Sequence, residues 1–174
     1  MSNKVDTQRM IRVDHAGEFG ATRIYAGQLA VMGDRGPDST EIRAMAAQED
    51  EHLARFDALI AERGVRPTSL RPIWNVAGFA LGAATAMIGP KAAMACTAAV
   101  EEEIDRHYTG QIEELEQSGE DPELAGVIER FRDDEREHRD AALAAGAEQA
   151  PAYPLLSGAI RLGCRMAIRL SERI

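Results

Sequence analysis

The sequence contains little cysteine, few aromatic residues and no excess of positive charge. Its two cysteines, Cys96 and Cys164, fit no disulfide framework and no Cys-x-x-Cys metal site, which favours a reducing, intracellular setting. The net charge of −9 argues against a nucleic-acid partner, because no basic stretch offsets it before residue 160. The lack of a Gly-x-Gly-x-x-Gly motif and of a cysteine cluster argues against a flavin, nicotinamide or iron-sulfur domain.

Long apolar segments are also missing. Residues 1–15 are polar and contain no apolar core of signal-peptide length, so we expect no secretion. Residues 73–88 carry no charge, but these 16 residues are fewer than the roughly 20 that a membrane-spanning helix needs. We therefore predict no transmembrane helix.

The abundant residues are Ala, Leu, Glu and Arg, which favour helix throughout. A hydrophobic content of 45% in 174 residues suffices for one buried core. We predict a single all-α domain over residues 1–174. Its parts are a first helical hairpin, an apolar crossover, a second hairpin and a C-terminal helix, at residues 1–64, 65–89, 90–146 and 151–174.

Capping and turn residues predict the ends of the hairpin helices. In the first hairpin we expect helices from about Thr7, with Asp6 or Thr7 as the cap, to Met32, and from a capping side chain near residues 38–41 to Gly64, joined by a turn at residues 33–37. In the second hairpin we expect helices from Gly89-Pro90 to Gly119 and from Asp121-Pro122 to Gly146.

A Glu-x-x-His motif occurs twice, at Glu49/His52 and at Glu135/His138. On a helix, residues i and i+3 lie on one face about one turn apart, so each pair can hold one metal ion. A single motif in a glutamate-rich chain indicates only a solvated helix face. The second copy, with a further glutamate upstream of each, favours a metal site.

The upstream glutamates lie in matching sequences that indicate a duplicated hairpin. Residues 18–28 align without gaps on residues 101–111, with five identities in eleven positions. Glu18 and Glu101 lie 31 and 34 residues before the glutamates of their Glu-x-x-His motifs, so each hairpin brings its ligands to one height. One Glu and one Glu-x-x-His from each hairpin form the ligand set of ferritin-like di-iron four-helix bundles.

Carboxylates with one imidazole per metal suit iron or manganese better than zinc, whose structural sites favour thiolates or several histidines. We expect two iron ions per chain, with coordination positions open to dioxygen. We assign Glu18 and His52 to one iron, Glu101 and His138 to the other, and Glu49 and Glu135 as bridges, although terminal and bridging roles could be partly exchanged.

Acidic residues near these ligands are expected to play other roles. The four that flank the motifs point away from the metal face, as surface acids or as hydrogen-bond partners of the ligands: Asp50, Glu51, Asp134 and Glu137. Glu102 and Glu103 compete with Glu101, and only the repeat alignment selects Glu101.

Tyrosines and two further histidines lie close to the predicted ligands. Tyr25 and Tyr108 each follow a ligand glutamate by seven residues. We expect both to pack against the site, with hydrogen bonding to the ligands or radical quenching as the alternative. His15 precedes Glu18 by one helical turn and His107 has no counterpart in the first hairpin, so we expect neither to act in the chemistry.

The crossover and the C-terminal helix leave several interpretations open. Residues 73–88 could form a helix packed across the bundle, a segment that enters one membrane leaflet or lines an apolar entrance, or an interface. The C-terminal helix has an arginine every four residues, at Arg161, Arg165, Arg169 and Arg173. Such a basic amphipathic helix indicates an anionic lipid or acidic surface, and pairing with carboxylates of the bundle explains it equally well.

Motifs along the chain resemble the demethoxyubiquinone hydroxylase family of ubiquinone biosynthesis. They are Arg12-Val-Asp-His-Ala-Gly-Glu18, Arg23-Ile-Tyr-Ala-Gly-Gln28, Arg66-Pro-Thr68, Trp74-Asn-Val76, Gly78-Phe-Ala-Leu-Gly82, Ala93-Met-Ala-Cys-Thr97, Val100-Glu-Glu102 and Leu170-Ser-Glu-Arg173. The resemblance extends from about Arg12 to Ile174. These motifs are more specific than the ligand pattern, which bacterioferritins and rubrerythrins share.

The resemblance implies a di-iron monooxygenase that hydroxylates the ring of a polyprenylated demethoxyubiquinol with dioxygen as co-substrate. All six family ligand positions hold the expected residue. It also implies a peripheral membrane protein with a possible lipid-presenting partner. Mitochondrial members carry a leader that is not seen here, so we expect a bacterial protein on the cytoplasmic face of the inner membrane.

The electrons for this reaction are expected to come from outside the chain, from NADH or from the quinol itself. Two other functions stay open. One is iron storage or peroxide detoxification by a ferritin-like shell, against which the apolar crossover argues. The other is a metal-free helical adaptor in which the glutamates are solvated.

Overall fold

The computed structural model describes residues 5–34 and 36–174. Residues 1–4 of the predicted domain and Arg35 of the predicted turn lie outside the described residues. Within these ranges the chain forms α-helices, one short 3-10 helix and no strand, which confirms the all-α prediction. The helices are α1 (Thr7–Met32), α2 (Pro37–Arg63), α3 (Arg71–Ile88), α4 (Pro90–Ser118), α5 (Pro122–Ala144), a 3-10 helix (Ala147–Gln149) and α6 (Tyr153–Ser171).

The N-terminus of α1 is capped as predicted, and that of α2 is not. The Asp6 carboxylate accepts a hydrogen bond from the Arg9 backbone N–H at 3.0 Å. Helix α2 begins at Pro37 after Gly36, which has a φ of 93° and offers no side-chain cap. Proline needs no hydrogen-bond acceptor at the first helical position and fixes a helical φ there, so the predicted capping side chain near residues 38–41 is wrong.

The predicted closure of α5 at Gly146 agrees with the structure. The helix ends at Ala144, and Ala145 caps it by donating its N–H to the Ala141 carbonyl at 2.9 Å. Gly146 follows in the left-handed conformation with a φ of 90°, which closes the helix and turns the chain into the 3-10 helix. Fully buried Ala147 follows it, so this turn belongs to the core.

The two hairpins pack against each other. Helix α1 contacts α2 and α4 contacts α5 within the hairpins, while α1 also contacts α4 and α2 contacts α5 between them. These contacts form a helical bundle, and the ferritin-like topology stays a prediction. Helix α3 packs against α1, and α6 packs against α4 and α1. The two cysteines carry free thiols.

Helix α3 lies very close to α1, because glycines face the contact. A Cβ atom at Gly82 would lie 1.9 Å from the Ile24 carbonyl oxygen, and one at Gly27 would lie 2.1 Å from the Phe79 carbonyl oxygen. The crossover therefore contains a helix packed on the bundle, the first of the three interpretations. Its outer side leaves Val76 and Met87 largely exposed. Across the described residues, we find no helix with the length and apolar content needed to cross a membrane.

Helix α6 combines ion pairs to the bundle with an exposed apolar side. Arg161 pairs with Glu102, and Arg165 lies 3.5 Å from a Glu103 oxygen. Carboxylates of the bundle thus pair with two of the four regularly spaced arginines. Arg169 and Arg173 have no ion pair with a described residue. Of the apolar residues of α6, Ile160 is buried, while several others are exposed, including Leu155, Leu162, Met166 and Leu170.

Candidate metal centre

The six predicted ligands come together in the middle of the bundle. Helix α1 supplies one, α2 two, α4 one and α5 two. Each is at most 3% exposed: Glu18, Glu49, His52, Glu101, Glu135 and His138. The matching heights inferred from the repeat explain why residues distant in sequence meet at one level.

The six side chains form two overlapping groups, each with four ligand atoms within 4.8 Å of one another. One contains Glu18, Glu49, His52 and Glu135, and the other contains Glu49, Glu101, Glu135 and His138. The two glutamates of the Glu-x-x-His motifs are common to both groups. This overlap is the arrangement that two neighbouring ions with two shared carboxylates require.

The imidazole rings turn their Nδ1 atoms toward the carboxylates. Nδ1 of His52 lies 3.2 Å from a Glu135 oxygen, and Nδ1 of His138 lies 3.1 Å from a Glu49 oxygen. The two rings are nearly parallel, with centroids 6.5 Å apart. Phe131 stacks on the His52 ring at 3.9 Å and holds its plane.

Most polar atoms that face the centre form no hydrogen bond with a described residue, because the short contacts of the two Nδ1 atoms with carboxylate oxygens lack hydrogen-bond geometry. Eight such buried atoms belong to the six predicted ligands: Glu18 Oε2, Glu49 Oε1 and Oε2, His52 Nδ1, Glu101 Oε2, Glu135 Oε1 and Oε2, and His138 Nδ1. Buried polar atoms are rarely left unsatisfied, because each costs about 1–3 kcal/mol. Bound cations would satisfy all of them, so the residues fit a two-metal site.

Burial and mutual repulsion shift the ionisation of the carboxyl groups. Burial, reinforced by the charge of Glu135, raises the pKa of Glu49 and of Glu101 well above the usual range. Burial also raises the pKa of Glu135, although the His52 ring opposes this. Burial alone would lower the pKa of His52, but the adjacent Glu135 and Glu18 raise it to about 11. Without cations, the centre therefore favours protonated forms.

Each tyrosine donates a hydrogen bond to the glutamate of the opposite hairpin. The Tyr25 hydroxyl lies 2.6 Å from a Glu101 oxygen, and the Tyr108 hydroxyl donates to Glu18. Both tyrosines are buried beside the site as expected, and they also form the hydrogen bonds to the ligands that were the alternative. These bonds fix one oxygen of each glutamate and leave the other facing the centre.

The outer nitrogen of each histidine is also held from the opposite hairpin. Nε2 of His52 lies 3.0 Å from an Asp134 oxygen, and Nε2 of His138 lies 2.9 Å from the Gln48 amide oxygen. Asp134 was among the candidate partners, whereas sequence reasoning missed Gln48. The signal was present, because Gln48 precedes Glu49 as Asp134 precedes Glu135.

Competing residues lie outside the centre. Glu102 and Glu103 pair with Arg106, and Asp50, Glu51 and Glu137 are exposed. Nε2 of His15 lies 2.9 Å from an Asp57 oxygen, away from the predicted ligands.

Asp14 is a buried acid outside the predicted ligand set, and the sequence reasoning missed it. It receives hydrogen bonds from His107 at 3.2 Å and from Gln111 at 2.9 Å, and burial raises its pKa. It lies one helical turn before Glu18 on α1. His107 thus has a structural partner inside the bundle.

An apolar cavity of about 460 Å³ lies between α1, α3, α4 and α6. Its walls include Gly17, Gly20, Trp74, Val100 and Cys164. Two of these residues are the chain neighbours of ligands: Gly17 precedes Glu18 and Val100 precedes Glu101. The cavity therefore borders the two helices that carry Glu18 and Glu101.

The chain is similar to known hydroxylases over most of its length. The family described as ubiquinone biosynthesis protein COQ7 matches residues 5–171. A Rhodospirillum rubrum protein named 3-demethoxyubiquinol 3-hydroxylase is 57% identical over 167 residues, which are 95% of this chain and 77% of the relative.

Eukaryotic relatives are similar as well. A Homo sapiens protein named NADPH-dependent 3-demethoxyubiquinone 3-hydroxylase, mitochondrial, is 53% identical over 176 residues, covering 99% of this chain and 80% of its own. A Saccharomyces cerevisiae protein named 5-demethoxyubiquinone hydroxylase, mitochondrial, is 42% identical over 180 residues, which cover 95% of this chain and 77% of the relative. The chain therefore belongs to the COQ7 family of ubiquinone biosynthesis, the demethoxyubiquinone hydroxylase family that its motifs resemble.

Proposed function

We propose that this chain is a di-iron monooxygenase that hydroxylates the ring of a polyprenylated demethoxyubiquinol, converting 3-demethoxyubiquinol to 3-demethylubiquinol. The observation that carries the proposal is the buried cluster of six ligands with eight unsatisfied polar atoms. The names of the similar hydroxylases support the substrate. Because both hairpins contribute ligands, the proposal treats residues 1–174 as one functional domain.

The cluster would hold two iron ions, with Glu18 and His52 on one, Glu101 and His138 on the other, and Glu49 and Glu135 between them. Bound iron would supply the activation of dioxygen that a quinol ring does not achieve alone. Carboxylate oxygens with few imidazoles favour iron or manganese over zinc. The hydrogen bonds from Tyr25 and Tyr108 orient the terminal glutamates.

The apolar cavity supports a prenylated substrate. A prenyl chain gains about 25 cal/mol for each Å² removed from water, so apolar walls beside α1, α3, α4 and α6 would bind it well. The walls reach the chain neighbours of Glu18 and Glu101, where a quinol ring would approach the ligands. A dry entrance also keeps water away from the reacting oxygen.

An external reductant completes the reaction. Nothing in the described part of the chain resembles a flavin or nicotinamide domain, and the names of the mammalian relatives describe them as NADPH-dependent. We propose a nicotinamide nucleotide as the electron donor, with the quinol itself as the alternative.

Exposed apolar residues on α3 and α6 support docking on a membrane surface. Val76 and Met87 on α3 and Leu155, Leu162 and Met166 on α6 are all more than half exposed. Arg169 and Arg173 have no ion pair with a described residue and could meet anionic headgroups. We propose peripheral attachment to the cytoplasmic face of a bacterial inner membrane, with a lipid-presenting protein as a possible partner on the same face.

The direct test incubates iron-loaded protein with demethoxyubiquinol, NADH or NADPH and ¹⁸O-labelled dioxygen, followed by mass spectrometry. We expect a product heavier by one labelled oxygen atom. Iron oxidation driven by peroxide without an organic product would favour the iron-storage alternative instead. Protein that binds no iron would contradict the proposal.

Matched variants separate the site from general effects of charge. Glu135→Ala should abolish both product formation and iron binding, because Glu135 belongs to both ligand groups. Glu137 lies two residues after Glu135 and is exposed. Glu137→Ala removes the same charge from this position and should leave product formation and iron binding intact. Full activity of the Glu135→Ala variant would exclude the assigned ligand set.

A further inference from the structure

The two halves of the centre differ in the group that holds each histidine. Nε2 of His52 lies 3.0 Å from a carboxylate oxygen of Asp134, and Nε2 of His138 lies 2.9 Å from the amide oxygen of Gln48. Both hydrogen bonds join the two hairpins: Asp134 on α5 contacts His52 on α2, and Gln48 on α2 contacts His138 on α5. The two hydrogen-bond distances are nearly equal, but one partner is a charged carboxylate and the other a neutral amide.

This difference breaks an otherwise close internal symmetry. The ligands, the two tyrosine hydrogen bonds and the positions of the histidine partners all repeat between the hairpins. Gln48 and Asp134 occupy equivalent places, each directly before the glutamate of a Glu-x-x-His motif. The two halves of the site therefore have the same types of ligand, but the histidine of one half is hydrogen-bonded to a carboxylate and that of the other to an amide.

The chemical consequence follows from what each partner can accept. A carboxylate and an amide oxygen are only acceptors, so Nε2 of each ring carries a proton and Nδ1 is the atom available to a cation. A charged acceptor makes the stronger hydrogen bond and draws positive charge onto the ring, which increases the basicity of Nδ1. A neutral amide increases the basicity of Nδ1 less.

We infer that the two metal positions are inequivalent and that the position formed by Glu18 and His52 binds a divalent cation more tightly than the position formed by Glu101 and His138. The expected ratio of affinities is roughly tenfold, the lower end of the effect of losing such a partner. Asp134 is then a positioning residue that acts through His52. The inference rests on the proposed two-metal centre.

The test measures cation binding without turnover. Metal-free protein is titrated calorimetrically with Mn²⁺, a redox-stable ion suited to carboxylate sites. We expect two dissociation constants that differ roughly tenfold in the unmodified protein. In Asp134→Asn, the tighter constant should weaken roughly tenfold and merge with the other. In Gln48→Glu, the weaker constant should tighten, so that both become strong.

Two further variants separate this effect from repulsion between the ions and from structural damage. The exchange variant Gln48→Glu/Asp134→Asn should restore two unequal constants, which loss of structure would not do. Asp133→Asn removes the same charge one residue away, where the side chain pairs with Arg132, and should change neither constant.

Failure of the inference is distinguishable from failure of the proposed function. Two equal constants in the unmodified protein, or two unequal constants that Asp134→Asn leaves unchanged, would overturn the inequivalence while keeping the two-metal centre. Absence of Mn²⁺ binding to the unmodified protein would overturn both.

Discussion

Individual side chains of the proposed ligand set are held by residues from the opposite hairpin. Tyr25 of α1 bonds to Glu101 of α4, while Asp134 of α5 bonds to His52 of α2. A ligand whose rotamer is fixed in this way loses little conformational freedom when a cation binds. Rigidity at the residue scale therefore depends on contacts that only the packed bundle provides.

Tyr25→Phe tests this at the residue scale. The variant keeps the aromatic packing but removes the hydroxyl that lies 2.6 Å from Glu101. We expect the affinity for Fe²⁺ to fall by roughly ten- to hundredfold, as for other lost partners of metal ligands. Anaerobic competition with a chromogenic chelator measures it. Tyr153→Phe, at a tyrosine outside the centre, is the control, and equal affinity in both variants would exclude the orienting role.

At the element scale, the contact between α1 and α3 depends on glycine. Gly82→Ala would force a Cβ atom to within 1.9 Å of the Ile24 carbonyl oxygen, so the helices must separate. We expect the free energy of unfolding to fall by about 1–3 kcal/mol, the usual cost of overpacking. Urea unfolding followed by circular dichroism measures the loss.

The control for this change is Gly126→Ala on α5, where an added Cβ meets nothing within 4 Å. Alanine is the better helix former, so stability should rise by about 0.5–1 kcal/mol. A loss of stability in both variants would show that the close contact between α1 and α3 is not the cause.

The exposed apolar side of α6 carries a second prediction at this scale. Leu162 and Met166 are each 55% exposed, and replacing both with Ser removes apolar surface without disturbing the core. We expect partitioning onto anionic vesicles to weaken roughly tenfold or more, measured by co-sedimentation. Leu143→Ser on α5, at an exposed apolar residue of another helix, should have little effect. Unchanged partitioning of the double variant would exclude α6 from membrane contact.

At the scale of the whole molecule, the centre makes stability depend on pH and on cations. In the metal-free protein the pKa values of Glu49, Glu101 and Glu135 are raised, so the folded state holds protons that the unfolded state releases above about pH 4.5. The pKa of His52, raised to about 11, acts in the same direction above about pH 6.5. Both contributions to stability are lost as the pH rises.

We therefore expect the free energy of unfolding of chelator-treated protein to fall between about pH 5 and pH 9, by up to about 1.4 kcal/mol per pH unit for each proton involved, and the Tm to fall with it. The Tm of protein loaded with Mn²⁺ should fall less over this pH range, or rise, because cations bind the deprotonated ligands and stabilise the folded state. Differential scanning calorimetry at several pH values measures both. Identical pH profiles with and without the ion would contradict the two-metal centre.

Much of the architecture followed from the sequence. Helical propensity and capping residues predicted the all-α fold and the bounds of α1, and the repeat between residues 18–28 and 101–111 selected Glu101 over its two neighbours. These features are local or periodic, so they can be read without knowing what packs where. The family resemblance, carried by contiguous motifs, was confirmed for the same reason.

Contacts between helices were decided only by the tertiary structure. The tyrosine hydrogen bonds to the opposite hairpin cannot be read from sequence spacing, because each joins residues more than 70 positions apart. The pairing of Gln48 with His138 is indicated only by the place of Gln48 directly before a Glu-x-x-His motif. The start of α2 differs from the prediction because Pro37 after Gly36, and not a capping side chain, opens the helix. The sequence thus determined which side chains could bind cations, and packing determined which atoms face the centre and which partners hold them, because those depend on the mutual placement of four helices.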